Sequence, residues 1–415
     1  MDKTDEKVLA ILLSDHKDGG NSGGEEVSLK SSQLLPTARK KRGGSLSRLW
    51  TTFLISANRL RRTLLPQRRG RIRVVAAGTI LCAAASSYLY LFDSSLTRLI
   101  DPPLEHSSEA MESISPALWN RLADVAVDAP PRHSTKDIAV FWHILKAGGT
   151  TVHRVLGECW RVPEASEIGG KVGKSEETRL RVVHTDGNRV TVNVDATTYA
   201  GLKRAGRMGM ARSGWVSVMF TPLLIETATY TLDRRHKGRM FALFRHPVDR
   251  AVSQFYYLQT ATWESTYNPR LANYTVDQYA YTPLVEENWM VRTLVDKISS
   301  FDITTDDLDA AKEILRKKCL VGFMDKMGES LERFRRYFGF TDPSNGWDNA
   351  DWKNCTDEYL KKGINSNAHG QLQEGDKAWN QLVLRNMFDM LLYQYAMELY
   401  EDQESMFLPG GPYAE

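Results

Sequence analysis

Two hydrophobic patterns alternate along the chain from Lys136 onward. Short β-rich runs predict strands at 138–142, 190–194, 216–220, 240–244 and 319–322. Stretches with apolar residues at three-to-four spacing predict helices at 150–160, 247–258, 326–338 and 379–403. This alternation predicts an α/β domain over residues 135–408, in which helices flank a mostly parallel central sheet, followed by a short tail at 409–415.

A third pattern is the uncharged apolar run from Val74 to Phe92. As a helix it would reach roughly 28 Å, which is about the thickness of a bilayer's hydrocarbon core. A buried core helix or a cleaved signal peptide is the alternative. The long polar segment before the run favours an uncleaved signal-anchor, because a cleaved signal usually starts near the first residue.

Charge is distributed unevenly around this run, although the whole chain of 415 residues carries a formal charge of only +3. Residues 1–73 are rich in arginine and lysine and predict a largely disordered cytosolic tail. Residues 93–134 are acidic and contain several prolines, which predicts a stem. The orientation is that of a single-pass type II membrane protein, and the short span favours the Golgi membrane.

The predicted lumenal part contains three of the four cysteines, so it has room for one disulfide at most. It also contains two glycosylation sequons, at Asn273 and Asn354. Basic clusters in the tail can suggest nucleic-acid binding. With a membrane span nearby, contact with anionic lipid is the better interpretation, and no nucleic-acid partner is expected.

The first segment with candidate chemistry follows the predicted strand 138–142. It runs from His143 to Thr151 and contains Lys146, Ala147, Gly148, Gly149 and Thr150 before a predicted helix. Glycines allow backbone N–H groups to approach an anion, and a helix N-terminus adds partial positive charge. An ordinary strand-to-helix turn is the alternative. The lysine precedes the glycines, unlike the Walker arrangement.

The second segment follows the predicted strand 240–244. Arg245 stands at the strand end, Pro247 begins a helix, and Ser253 lies about two helical turns further on. Arg245 and Ser253 could therefore converge on one phosphate group if the helix packs back onto the sheet.

Together the two segments resemble the 5′- and 3′-phosphosulfate-binding motifs of Golgi-type carbohydrate sulfotransferases. The order of the motifs and the type II anchor are similar to that family, and the resemblance covers roughly residues 136–403. Family members often have proline where this chain has Leu145, and usually threonine at position 147.

The resemblance implies a P-loop-like sulfotransferase fold and a reaction. The sulfate donor would be 3′-phosphoadenosine 5′-phosphosulfate, and no metal would be required. Lys146 would stabilise the leaving 5′-phosphate, with help from residues 147–151, while Arg245 and Ser253 would hold the 3′-phosphate. The acceptor would be a glycan hydroxyl.

The proton acceptor is less apparent from the sequence. His184 lies between the two motifs, with an exposed loop histidine as the alternative. Asp195 follows a predicted strand, with a helix N-cap as the alternative. His143 could act as the base or brace the loop, and the segment 363–370 could cover the donor.

A glycan could be recognised by a basic stretch, Lys203, Arg204, Arg207 and Arg212, which suits an anionic polysaccharide but equally fits a solvated helix face. Trp263 could stack on a sugar or belong to the core. The acceptor sugar and the oligomeric state cannot be predicted. Two other functions remain: an inactive glycan-binding protein that retains the fold, and a nucleotide-dependent kinase, which the lysine position opposes.

Overall fold

The computed structural model describes nine segments of the chain: residues 111–125, 137–174, 176–185, 189–264, 266–298, 302–341, 351–362, 370 and 372–414. The predicted cytosolic tail 1–73, the predicted membrane span 74–92 and the segment 363–369 lie outside these residues. Within the described part, no helix is both long and apolar enough to cross a membrane.

Seven strands form the sheet: β1 Ile138–Trp142, β2 Glu164–Ser166, β3 Val182–Thr185, β4 Arg189–Asp195, β5 Val218–Thr221, β6 Gly238–Phe244 and β7 Cys319–Phe323. The first helices are α1 Pro116–Arg121, α2 Gly149–Arg154, α3 Glu167–Val172, α4 Tyr199–Arg207, α5 Met210–Ser213, α6 Leu224–Tyr230 and α7 Pro247–Leu258. The later ones are α8 Val276–Tyr279, α9 Trp289–Leu294, α10 Thr305–Lys318, α11 Met327–Phe338, α12 Trp352–Lys362, α13 Lys377–Arg385 and α14 Met387–Glu404. A π-helical turn, Val155–Cys159, extends α2, and a 3-10 helix spans Pro269–Asn273.

The strands form a single sheet in the order β3-β4-β2-β5-β1-β6-β7. All neighbouring pairs are parallel except β3 and β4, which are antiparallel. The predicted α/β class with a mostly parallel sheet is therefore confirmed.

Alternate residues of the central strands face two different layers of helices. Trp142 of β1 and Phe244 of β6 pack with Leu392 of α14 in one core cluster. Phe141 and Phe241 face the opposite side, where they pack with residues of α2 and α11. Burial on both faces explains why these strands appear in the sequence as continuous apolar runs.

The order of the strands also locates a crevice. From β1 the chain moves to β2 on one side of the sheet, and from β6 it moves to β7 on the other. The strands β1 and β6 are neighbours, and the chain leaves them toward opposite sides of the sheet. Ligands in open α/β sheets bind at such a point, outside the carboxyl ends of the strands.

One predicted helix is divided in the structure. Residues 379–403 were expected to form a single helix, but α13 ends at Arg385 and α14 begins at Met387. The Asn386 side chain accepts a hydrogen bond from the backbone N–H of Asn288 at 3.1 Å. Asp389, in turn, accepts hydrogen bonds from two backbone N–H groups at the start of α9. These buried hydrogen bonds hold the residues at which the helix is interrupted.

Part of the predicted stem packs against the α/β domain. Leu118 of α1 and Leu122 are buried in the same core cluster as Val140, and Leu122 forms a parallel bridge with Gly238. The ordered domain thus includes residues that precede position 135. The sequence obscured this because α1 has only six residues, too few for a helical period to be evident.

Cys159 and Cys355 form a disulfide that joins the π-helical turn to α12, with their Cα atoms 5.5 Å apart. Cys319 is a free, buried cysteine at the start of β7. The sequence limited the three cysteines after the predicted membrane span to one bridge, and the structure identifies the pair.

Candidate active site

The loop after β1 has an unusual backbone. Lys146 and Gly148 both have positive φ values, 64° and 88°. Such a conformation costs little for glycine but is strained for lysine, and strained residues of this kind concentrate at functional sites. Successive turns of this type direct backbone N–H groups into a concave anion-binding surface. Gly149 then begins α2.

Gly149 allows the loop to lie directly against an imidazole ring. A Cβ atom at this position would be 2.3 Å from Cδ2 of His143. Burial is the main cause that lowers the pKa of His143 to about 4. The ring is therefore neutral at physiological pH, and it supports the loop without adding charge.

The segment after β6 meets this loop. Arg245 follows the last residue of β6 and donates a hydrogen bond from Nη1 to the backbone carbonyl oxygen of Lys146, at 3.1 Å. Ser253, on α7, lines the same cleft. The structure therefore brings Lys146, Arg245 and Ser253 together, as their positions at the ends of β1 and β6 led us to expect.

The cleft combines both predicted phosphate segments with side chains from α7 and the loop after it. Its lining residues are His143, Leu145, Lys146, Gly148, Gly149, Thr150, Thr151, Arg245, Ser253, Gln254, Tyr257, Glu264, Thr266 and Met324. Ala147 is not among them. Its side chain is buried in the core below the loop, so the predicted contact of Ala147 with a cofactor does not involve its methyl group.

The Lys146 side chain lies over an aromatic ring. Its Nζ is 3.7 Å from the centroid of Tyr257, an arrangement that favours the cation. Burial, together with the nearby Arg245, nevertheless lowers the pKa of Lys146 to about 8. Two cationic side chains thus approach each other closely, as expected where an anion of high charge binds.

A hydrogen-bonded group extends from Tyr257 to the surface. The hydroxyl of Tyr257 donates to Glu264 Oε1 at 2.6 Å and accepts from Trp263 Nε1 at 3.2 Å. Trp263 is 74% exposed. Its ring is therefore a surface feature beside the cleft, as the sugar-stacking interpretation requires, and not a core residue.

Gln254 is a cleft residue that the sequence analysis missed. It lies beside Ser253 on α7 and is only 5% exposed. Its side-chain Oε1 has no hydrogen-bond partner among the residues that the structure describes. The sequence shows Gln254 only as one polar residue of the predicted helix 247–258, which does not indicate where its side chain lies.

A buried charge cluster lies under α2. His153 Nε2 is 3.0 Å from Glu164 Oε1, and Nδ1 is 3.4 Å from Glu167 Oε1. Although burial opposes the charged form, these hydrogen bonds raise the pKa of His153 to about 9. Despite burial, the hydrogen bond with His153 lowers the pKa of Glu167 to about 2. Arg189 adds a second cation, 3.7 Å from Glu164.

The proton-acceptor candidates His184 and Asp195 have different positions in the sheet. His184 is exposed on β3 and pairs with Val190, near the amino end of β4. It is four strands from β1, about 19 Å at the usual spacing, and near the opposite edge of the sheet. Its assignment as a catalytic residue is therefore incompatible with this cleft. The sequence did not indicate that β3 runs antiparallel.

Asp195 lies at the carboxyl edge of the sheet, three strands from β1. Burial is the main cause that raises its pKa. Its Oδ1 accepts hydrogen bonds from the backbone N–H and the hydroxyl of Thr197, at 2.8 Å and 2.6 Å. Asp195 thus stabilises the turn before α4, while the N-cap of that helix is Thr198.

The predicted acceptor-binding stretch lies on α4 and α5 and does not line the cleft. Arg204 donates hydrogen bonds to the carbonyl oxygens of Lys174 and Asn193, so its role is structural. Lys203 Nζ lies 4.2 Å from the ring centroid of Tyr199. Arg207 and Arg212 are exposed.

Both sequon asparagines, Asn273 and Asn354, are exposed. Within the described residues, no group of three or more His, Cys, Asp or Glu side chains could hold a metal ion.

Comparison with known proteins gave no relative: no protein-family model matches the chain, and no curated protein matches it.

Proposed function

We propose that this chain is a membrane-anchored sulfotransferase that transfers a sulfuryl group from 3′-phosphoadenosine 5′-phosphosulfate to a glycan hydroxyl in the Golgi lumen. The observation that supports this most strongly is the convergence of Lys146, Arg245 and Ser253 on one cleft at the carboxyl edge of a parallel sheet. Two separate anion-binding segments meet there, as a nucleotide with two phosphate-bearing positions requires.

The chemistry of the cleft fits this donor. The glycine-containing loop offers backbone N–H groups and the Thr150 and Thr151 hydroxyls for the 5′-phosphate. Arg245 and Ser253 would hold the 3′-phosphate. The largely buried side chain of Gln254 also lines this cleft.

The bound donor supplies an activated sulfuryl group on its 5′-phosphate. Lys146 would place positive charge beside that phosphate and stabilise it as it leaves. Since the lysine already sits in a conformation with positive φ, the loop holds its backbone in place before ligand binds. Arg245 would fix the same backbone through its hydrogen bond to the Lys146 carbonyl oxygen.

Glu264 is the carboxylate that lines the cleft. Its Oε1 accepts a hydrogen bond from the Tyr257 hydroxyl, and its charge acts on the Lys146 side chain. Glu167 and Asp195 do not line the cleft, and Asp195 Oδ1 is already bonded to Thr197. We therefore assign the base to Glu264.

Trp263 is the residue best placed to contact an acceptor sugar. Its exposed indole lies beside the cleft and is oriented by Tyr257, whose ring also contacts Lys146. A sugar stacked on this indole would lie close to the proposed leaving group. Lys203 and Arg207 would contact only a longer anionic polysaccharide, because they lie outside the cleft.

The proposed lumenal location is supported by the Cys159–Cys355 disulfide, since such bonds persist mainly in oxidising compartments. Two exposed sequon asparagines are compatible with the same compartment.

The direct test is transfer of radiolabelled sulfate from the donor onto a panel of desulfated glycans by the purified full-length chain. The wild type should label at least one glycan, and Lys146→Ala should reduce the rate by about 100-fold or more. Lys171→Ala, at an exposed position on α3, is the matched control and should keep the activity. Absence of sulfate transfer, with phosphate transfer from labelled ATP, would instead indicate a kinase.

A further inference from the structure

Gln254 lines the candidate nucleotide cleft, and its side-chain Oε1 is buried without a hydrogen-bond partner among the described residues. Among the described residues that line this cleft, it alone has a buried side-chain polar atom without a hydrogen-bond partner. The residue is held by α7, whose neighbouring positions Val252 and Phe255 are buried.

A buried carbonyl oxygen nearly always accepts a hydrogen bond, so a ligand atom is the natural partner here. Gln254 Oε1 is an acceptor, and its partner must be a donor. A phosphate monoester is largely doubly ionised above pH 7 and offers only acceptor oxygens. The group that reaches Oε1 must accordingly be a hydroxyl or an amine, and not the phosphate itself.

The neighbours of Gln254 identify which group this is. Ser253 precedes it on α7, and Arg245 lines the same cleft. Under the proposed function, both hold the 3′-phosphate of the nucleotide. The donor closest to a 3′-phosphate is the 2′-hydroxyl on the adjacent ribose carbon. We propose that Gln254 Oε1 accepts a hydrogen bond from this 2′-hydroxyl, so that the cleft selects ribonucleotides over 2′-deoxyribonucleotides.

The test compares two ligands and two protein variants. Binding of 3′-phosphoadenosine 5′-phosphate and of its 2′-deoxy analogue is measured by calorimetry with the full-length chain. The wild type should bind the deoxy analogue about five- to tenfold more weakly, as expected for the loss of one neutral hydrogen bond. Gln254→Met, which keeps the side-chain length, should weaken binding of the ribonucleotide by a similar factor. It should also remove the preference for the ribonucleotide over its 2′-deoxy analogue.

Gln259→Met is the matched control, since Gln259 follows the same helix and does not line the cleft. It should keep the wild-type preference. Equal affinity of the wild type for both ligands would overturn the inference while leaving the proposed function intact, and this result needs no variant to fold. An equal loss for both ligands in Gln254→Met would also overturn it. Failure of the wild type to bind either nucleotide would contradict the proposed function itself.

Discussion

Arg245 Nη1 donates a hydrogen bond to the backbone carbonyl oxygen of Lys146 at 3.1 Å, across a sequence separation of 99 residues. This bond joins the loop after β1 to the end of β6. The arginine therefore has two roles in our account: it offers charge to the 3′-phosphate and holds the strained lysine backbone. Loss of its side chain should affect both phosphate positions.

We expect Arg245→Ala to weaken binding of 3′-phosphoadenosine 5′-phosphate by about 10- to 100-fold, because hydrogen bonds to a charged group are lost. Calorimetry with the full-length chain measures this. Arg235→Ala, at an exposed position before β6, should leave the affinity unchanged. Similar affinities for Arg245→Ala and the wild type would exclude the arginine from the phosphate site.

A second prediction concerns Gly149. In Gly149→Ala the new methyl group would overlap the His143 ring. We expect the unfolding free energy to fall by about 1–3 kcal/mol and nucleotide affinity to fall with it. Gly328→Ala, on α11, is the control. Among the described residues, its Cβ would meet only Leu360 Cδ1, at an ordinary contact distance of 3.7 Å. That variant should be neutral or slightly more stable in denaturant unfolding. An equally neutral Gly149→Ala would contradict the close contact.

Lys146 should make nucleotide affinity depend on pH. The free protein has a Lys146 pKa of about 8, and an anionic ligand favours the protonated form. Affinity should therefore change little between pH 7 and 8 and fall by up to tenfold per pH unit above this range. Lys146→Arg keeps the charge without titrating in this range and should lose this slope. An identical slope in the variant would assign the titration to another group.

These site predictions depend on features that the sequence showed with unequal clarity. Strands β1 and β6 are continuous apolar runs because both faces are covered, so the loops after them were easy to locate. His184 was misplaced because the exposed strand β3 lacks an apolar run, and its antiparallel direction is a tertiary property. Gln254 escaped notice because only the packing of α7 shows which of its side chains reach the cleft.

The prediction of helix bounds from the sequence was limited for similar reasons. Helix α10 begins with a capping box formed by Thr304 and Asp307, a start signal that is present in the sequence. The division at Asn386 depends instead on a hydrogen bond to Asn288, which no periodicity could indicate.

The charge cluster under α2 predicts a further pH effect, on stability. The folded-state pKa of His153 is about 9 and its unfolded value is near 6.5. Its contribution is therefore fully present below pH 6.5 and is lost as pH rises through 9. The difference in unfolding free energy between the wild type and His153→Gln should be largest near pH 6. It should shrink by on the order of 3 kcal/mol between pH 6 and pH 10.

His236→Gln is the control for this experiment, because it removes a more exposed pair with Asp233 that should contribute little. Denaturant unfolding across the pH range measures all three proteins. A difference between wild type and His153→Gln that stays constant with pH would show that His153 is not charged in the folded protein.

The central claim is that one cleft holds both phosphate positions of the donor nucleotide, and thermal unfolding of the full-length chain tests it most directly. Saturation with 3′-phosphoadenosine 5′-phosphate at about 100 times its Kd should raise the unfolding free energy by about 2.7 kcal/mol and increase the Tm. Adenosine 5′-phosphate, which lacks the 3′-phosphate, should give a much smaller increase at the same concentration. An unchanged Tm with the 3′-phosphorylated nucleotide at every concentration would contradict the account.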